Sequence, residues 1–176
     1  IDSGWKVDRN RPMPTSESTG LFLSAAGGER EAKQLVLTPR KNLKSLTLRN
    51  TTLSNAVDDT LERGAIEIFQ VGYVPITQPS DSLGAAALWT DTLLPIEGPI
   101  DLKRGINHPL WIRVNIPEGT PPGLYEGAIM IAEGGREISV PLKVEVYGFS
   151  LPRQMSCSTA FGFSFSNVIR YHNLSD

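Results

Sequence analysis

An all-β fold is predicted for this 176-residue chain, a two-sheet antiparallel β-sandwich of immunoglobulin-like general design. Three observations carry the prediction. Short runs rich in strand-forming residues recur along the chain, their side chains alternate between apolar and polar, and Gly, Pro and Asn separate one run from the next. The runs are Leu21 to Ala25, Ala32 to Thr38, Leu43 to Arg49, Ala65 to Val74, Leu110 to Ile116, Leu124 to Ala132 and Ile138 to Tyr147.

Between the first two runs lies GGER, Gly27 to Arg30. Its backbone N–H groups suit an anion, but no helix or lysine follows at phosphate-loop spacing, so a hairpin turn is expected. Ser54 to Gly64 is expected to be a short helical segment, with Asp58, Asp59 and Glu62 decorating an exposed turn. In the fifth run Leu110, Ile112, Val114 and Ile116 share one face, opposite Trp111, Arg113 and Asn115. Such a strand buries one side and wets the other. Pro117, Pro121 and Pro122 cannot donate to a ladder, so they mark a stiff turn before a strand at Leu124. There Tyr125, Gly127, Ile129 and Ile131 share a face. Gly134 and Gly135 are expected to close a hairpin between the last two runs. Pro141 predicts that the last strand is a sheet edge or carries a bulge at that point.

Composition shifts after Phe149 to Pro152. The tail is rich in small and aromatic residues, and Thr159 to Phe165 has the pattern of a strand buried on both faces, which needs covering layers that this length does not supply. The expected organisation is a sandwich over residues 1–152, then a linker and the first strand of a second domain over 153–176.

Seventeen basic and nineteen acidic side chains give a net charge of -2 without long runs of either sign, which excludes a nucleic-acid footprint. No apolar stretch reaches the roughly twenty residues that a membrane span needs. The first residues, IDSGWKVDRN, lack the basic start and apolar centre of a signal peptide. Cys157 has no second cysteine to pair with and is expected to be a small apolar filler. His108 and His172 lie far apart without neighbours at metal-ligand spacing, so no metal and no cofactor are expected. GFSFS, Gly162 to Ser166, resembles a nucleophile elbow but ends in Ser166 and carries the bulky Phe163 and Phe165. Asp58-Asp59 is the only adjacent acid pair, and a solvated turn accounts for it better than glycoside chemistry does.

WTDTLLP, Trp89 to Pro95, is the remaining sharp feature, read as part of a long connection. Trp89 offers a face to stack on a sugar and Asp91 accepts from sugar hydroxyls, or Trp89, Leu93 and Leu94 pin the loop to the sandwich or to a neighbouring domain. Trp111 points away from the aliphatic stripe of its strand and calls for cover by a loop or partner. Trp89, Asp91 and Trp111 are therefore the candidates for sugar or interdomain contact.

Taken in order, GGEREAKQLVLTP, VGYVPITQPSD, WTDTLLP, HPLWIRVNIPEGTPPGLYEGAIMI and VPLKVEVYGFSLP resemble the N-terminal β-sandwich domain of glycoside hydrolase family 123 and its relatives, over about Leu21 to Pro152. The resemblance implies a sandwich that precedes a (β/α)-barrel. In that family the barrel hydrolyses β-linked N-acetylgalactosamine with retention of configuration. The 2-acetamido carbonyl attacks the anomeric carbon, an Asp orients it, and a neighbouring Glu protonates the leaving oxygen. No position here matches that dyad, so no catalytic residue carries over. The resemblance thus implies a non-catalytic accessory domain. Its expected partner is the C-terminal catalytic barrel of the same polypeptide, one rim of which it shapes through Trp89 to Pro95, in a secreted or periplasmic setting. Two alternatives stand beside it: an independent carbohydrate-binding module using Trp89 or Trp111, and a structural immunoglobulin-like domain of a surface protein.

Overall fold

The structure, a computed structural model, describes residues 1–12, 20–79, 85–154, 157–160, 162 and 164–174. Among these residues two sheets face each other. One has seven strands: β1 (Leu21–Gly27), β11 (Arg136–Ser150), β10 (Gly123–Glu133), β3 (Leu43–Asn50) and β8 (Ile100–Leu102) in that order, with the short β4 (Leu53–Ser54) and β5 (Thr60–Leu61) off the β10 edge. The other has four, β2 (Arg30–Leu37), β9 (His108–Asn115), β6 (Ile66–Ile76) and β7 (Ala87–Pro95).

All seven runs read from the sequence are strands, and the alternation put their apolar sides inward. Leu110, Ile112, Val114 and Ile116 from one sheet meet Leu23, Tyr125, Ile129, Leu142 and Val144 from the other in a single core. Each such side chain, taken fully out of water, stabilises the fold by about 1.5–3 kcal/mol. Glu31 and Lys33 of β2 stand in register with the buried Val114 and Ile112. Charges at those positions of an edge strand oppose pairing with another chain.

The proline-rich turn does more than join two strands. β9 and β10 belong to different sheets, so residues 116–122 cross from one layer to the other. Thr120 closes the turn on the Pro117 carbonyl, and the buried Tyr125 donates its hydroxyl to the Pro121 carbonyl at 2.9 Å, which fixes the crossing. The Gly134-Gly135 turn closes the β10–β11 hairpin as expected, both residues having positive φ, 57° and 79°. At Gly127 a Cβ would come within 2.7 Å of Thr51 Oγ1 and 3.0 Å of Leu53. Its absence lets the chain bend from β3 into β4 against β10, where Thr51 Oγ1 accepts from the Ala128 N–H at 3.0 Å.

Several expectations are corrected. GGER is not a hairpin turn: β1 pairs in parallel with β11 and β2 pairs with β9, so the turn switches sheets. A two-residue link has the same local residues in either case; only the partner strands distinguish them. Ser54 to Gly64 is not helical but a small β4–β5 hairpin, closed by Asn55 with Asp58 and Asp59, followed by a 3-10 turn at Arg63–Ala65. Trp89 to Pro95 is not a loop but most of β7, paired with β6 at the sheet edge. Pro141 opposes Ala128 of β10 just before β1 joins the other side of β11, with Leu21 opposite Leu142. Among the described residues β11 is thus an edge up to Pro141 and an interior strand after it.

In the tail, the described residues of Ser158 to Phe165 form no strand, while residues 161 and 163 lie outside the described residues, so part of GFSFS does too. Phe165 opens α1 (Phe165–His172), capped by Ser164 accepting from the Asn167 N–H. Cys157 is exposed and not a buried filler. Among the described residues no helix is long and apolar enough to cross a membrane.

Candidate functional site

The first residues build the most distinctive surface of the molecule. Asp2 bridges to Lys33 at the free edge of β2, and the chain then crosses the outer face of the four-stranded sheet as a strap. Gln34, on that face and only 2% exposed, donates through Nε2 to the carbonyls of Asp2, Ser3 and Trp5 at 3.1, 3.3 and 2.7 Å. Tyr73 donates to the Val7 carbonyl at 3.0 Å, and Lys6 Nζ to that of Thr90 at 3.2 Å. At the far end Asn107 Nδ2 donates to Asp8 and Arg11, both at 2.7 Å, while its Oδ1 accepts from Thr38. The strap carries Val7 into a buried position, and Val71 is buried on the outer face of β6 outside the main core. Backbone carbonyls without regular partners are thus satisfied by buried amide side chains.

Beneath the strap is a cleft of about 50 Å³ whose lining includes Trp5, Lys6, Thr90, Asp91, Leu93 and Trp111. Of the three sequence-predicted residues, Asp91 and Trp111 converge here, and Trp5 and Lys6 of the strap supply the cover that the outward Trp111 called for. Trp89 does not join them: its indole N–H donates to the Ala85 carbonyl at 2.8 Å on the edge strand. Thr90 is 7% exposed, and its hydroxyl finds no protein partner. The sequence reading missed Trp5, Lys6 and Thr90. The sequence holds one signal for the strap, Gln34, a long polar side chain in an otherwise half-apolar strand whose amide holds Asp2, Ser3 and Trp5.

A second recess of about 160 Å³ adjoins Arg9, Gln70, Tyr73 and His108 at the other end of the strap. Its tyrosine and asparagine are already spent on strap carbonyls. His108 Nε2 lies 3.1 Å from the Lys103 N–H, and burial pushes the imidazole below its ordinary range, which keeps it neutral. Further along the same face Arg113 grips Glu67 in a two-pronged pair, at 2.9 and 3.0 Å, and lies over the Phe69 ring. Hydrogen bonds from Arg113 and then Asn115 hold the Glu67 carboxyl below the usual range. Among the described residues no group of three or more His, Cys, Asp or Glu could hold a metal ion. Asp59 of the Asp58-Asp59 pair is engaged with Asn55 in the β4–β5 turn.

The family described as the glycoside hydrolase 123 N-terminal domain matches residues 3–133, which include the strap, the cleft and all of β1 to β10. The chain belongs to that family. As a glycoside hydrolase 123 N-terminal domain it is similar in fold to a family 123 glycoside hydrolase from Clostridium perfringens, whose structure was described for glycolipid glycan hydrolysis. The TM-score is 0.62 at 20% identity, over 76% of this chain and 24% of that one. The chain therefore spans about a quarter of the length of that relative. Weaker similarities reach amebosin, with a TM-score of 0.31, 18% identity and 72% and 88% of the two chains covered. A chain from a study of adhesive voltage-gated sodium-channel β subunits scores 0.32 at 8% identity, over 77% and 98%. A search of curated proteins finds no match.

Proposed function

We propose that this domain is the non-catalytic N-terminal accessory part of a glycoside hydrolase and that it seats the catalytic domain that follows it in the same polypeptide. One observation carries the reading. On the outer face of the seven-stranded sheet Leu124, Tyr147 and Phe149 stand exposed, where β11 leads out toward the tail. Tyr147 and Phe149 stack in parallel, with centroids 5.8 Å apart, in a stretch where the β1–β11 register shifts. Strand bulges re-aim side chains, and clustered aromatic side chains left in water mark a surface that a partner covers. The exit is held in place: the Leu151 N–H donates to the Gly27 carbonyl at 2.8 Å, and Arg153 pairs with Glu118 of the crossing turn at 2.8 Å. A fixed exit beside an apolar patch suits a rigid seat. The family membership makes a catalytic domain the natural occupant, and the C. perfringens enzyme's greater length leaves room for one.

The finer parts of the reading rest on the family resemblance. They are a retaining, substrate-assisted hydrolysis of N-acetylgalactosamine glycans by the following barrel, and a secreted or periplasmic setting. An immunoglobulin-like design for the sandwich is supported by the buried tyrosine that hydrogen-bonds back to the turn before it.

The test uses the longer polypeptide. Tyr147→Ser with Phe149→Ser should speed proteolysis in residues 152–164 and lower the thermal midpoint of the following domain, while the short chain unfolds as before. Unchanged cleavage and an unchanged midpoint in the long protein would remove the docking role.

A further inference from the structure

The recess at the far end of the strap belongs to the four-stranded sheet and the docking patch to the other, so ligand binding and docking can each fail alone. It opens where two strands part. β6 pairs with β9 from Ile66–Val114 to Gln70–Leu110 and no further; beyond that point β6 runs on with β7, while the start of β9 stays with β2 at His108–Leu37. Past the fork Asp91 and Thr92 of β7 stand against the single Gly72, a bulge of the kind that re-aims neighbouring side chains. Arg9 of the strap lies at this fork. Its side chain is half-buried, and its guanidinium carbon sits 5.6 Å from the centroid of the Tyr73 ring, a face that holds the guanidinium plane in place. Among the described residues that guanidinium has neither a carboxylate within ion-pair distance nor a hydrogen-bond acceptor. The adjacent acid is committed elsewhere, since Asp8 Oδ1 accepts from the Asn10 and Arg11 N–H groups at 2.8 and 3.2 Å. A cation drawn partly out of water without a counter-ion is costly, and an anion entering the recess removes that cost.

The surroundings narrow the anion. Burial keeps His108 neutral, so the recess offers one fixed positive charge and suits one negative charge. Gln70 adds a carboxamide that is half-buried, and Leu94, 49% exposed, adds an apolar wall. The volume of about 160 Å³ compares with roughly 10–15 Å³ for one water-sized group, which leaves room for a carboxylate with a short tail. We propose that the recess is a binding site for a small organic monocarboxylate, whose two oxygens pair with the Arg9 guanidinium beside the Gln70 carboxamide and whose apolar tail lies on Leu94. A planar carboxylate matches the two-pronged donor face of arginine. Phosphate would bring a second charge that no residue of the recess meets, and an uncharged amide of the same shape would leave the guanidinium without its counter-ion.

The experiment titrates the chain with butyrate, and with butyramide and inorganic phosphate as controls, at matched ionic strength because salt screens such a pair. Backbone amide shifts and the His108 imidazole signals report binding. Butyrate should saturate with a dissociation constant of about 1–10 mM, and its shifts should centre on Arg9, Gln70 to Tyr73, Asn107 and His108. Butyramide and phosphate should each bind at least about tenfold more weakly. Arg9→Ala should weaken butyrate binding at least about tenfold, and Arg9→Lys, which keeps the charge and loses the fork, about three- to fivefold. Should Arg9→Ala fail to fold, Arg9→Lys and the shifts of the unaltered chain decide. The proposal is overturned by no saturation at about 100 mM butyrate, by equal binding of butyramide or phosphate, by shifts centred elsewhere, or by unaltered affinity in the Arg9 variants. It is overturned as well if the longer polypeptide fails to bind butyrate while the short chain binds it, because a side chain of the following domain then fills the recess.

Discussion

The outer face of the four-stranded sheet is covered by the chain's own first residues, held by Gln34 and Asn107, whereas the outer face of the seven-stranded sheet leaves Leu124, Tyr147 and Phe149 in water. Both faces belong to the same sandwich and both carry aromatic side chains. The first closes itself with hydrogen bonds to backbone carbonyls, and the second leaves that cluster without cover among the described residues. A strap anchored by buried amides is a folding element, since removing an anchor strands several polar groups at once. A patch without cover contributes nothing to the domain alone and gains its worth only against a partner.

Breaking the anchors should give the largest effect. Gln34→Leu leaves three strap carbonyls without their donor and should cost about 2–4 kcal/mol in urea unfolding, with faster proteolysis of residues 1–11. A loss below about 0.5 kcal/mol would mean that the strap is an ornament on the sheet. Asn107→Ala, which frees two strap carbonyls and Thr38, should follow at about 2–3 kcal/mol by the same measurement.

Acid should loosen the covered face in two stages. Burial depresses His108, so the unfolded imidazole takes a proton first, and stability is lost as pH falls from the ordinary imidazole range through the folded one. Glu67 is depressed by Arg113 and Asn115, so its contribution is full above the ordinary carboxylate range and is lost as pH falls through its folded value. Glu67→Gln should flatten that lower stage. The change should stay under about 1 kcal/mol because the pair is partly open to solvent. Urea midpoints measured across pH would show both stages, and identical acid limbs for Glu67→Gln and the parent would discard the second.

The smallest effect is expected on the uncovered face. In the short chain Tyr147→Ser with Phe149→Ser should shift stability by no more than about 0.5 kcal/mol. A larger loss would show that the stacked pair supports the sandwich itself and would sharpen the contrast with the strap into a difference of degree.

Seven of the eight long strands were legible because each buries one face, so burial writes a period of two into the residues themselves. β7 was not, since Leu88, Trp89, Leu93 and Leu94 are all exposed on an edge and only Thr90 is buried, which erases the alternation. β4 and β5 are two residues each, too short for any period. Of the candidate cleft, Asp91 and Trp111 were legible as an acid beside an aromatic and as an aromatic on the wrong face. Trp5 and Lys6 were not, because a strap with no period of its own shows itself only by what it lies on.

What the residues determined alone is which side of each strand leaves water and where proline and glycine force the chain to turn. Those are local properties, set by side-chain transfer and backbone sterics within a few positions. Tertiary structure decided which sheet each strand joins, that GGER switches layers, and that Ser3 to Val7 crosses over Gln34 and Trp111 to make a cleft. Such pairings bring together groups about thirty to a hundred positions apart, from Gln34 with Trp5 to Asn107 with Asp8, and their free energy exists only once both partners are in place.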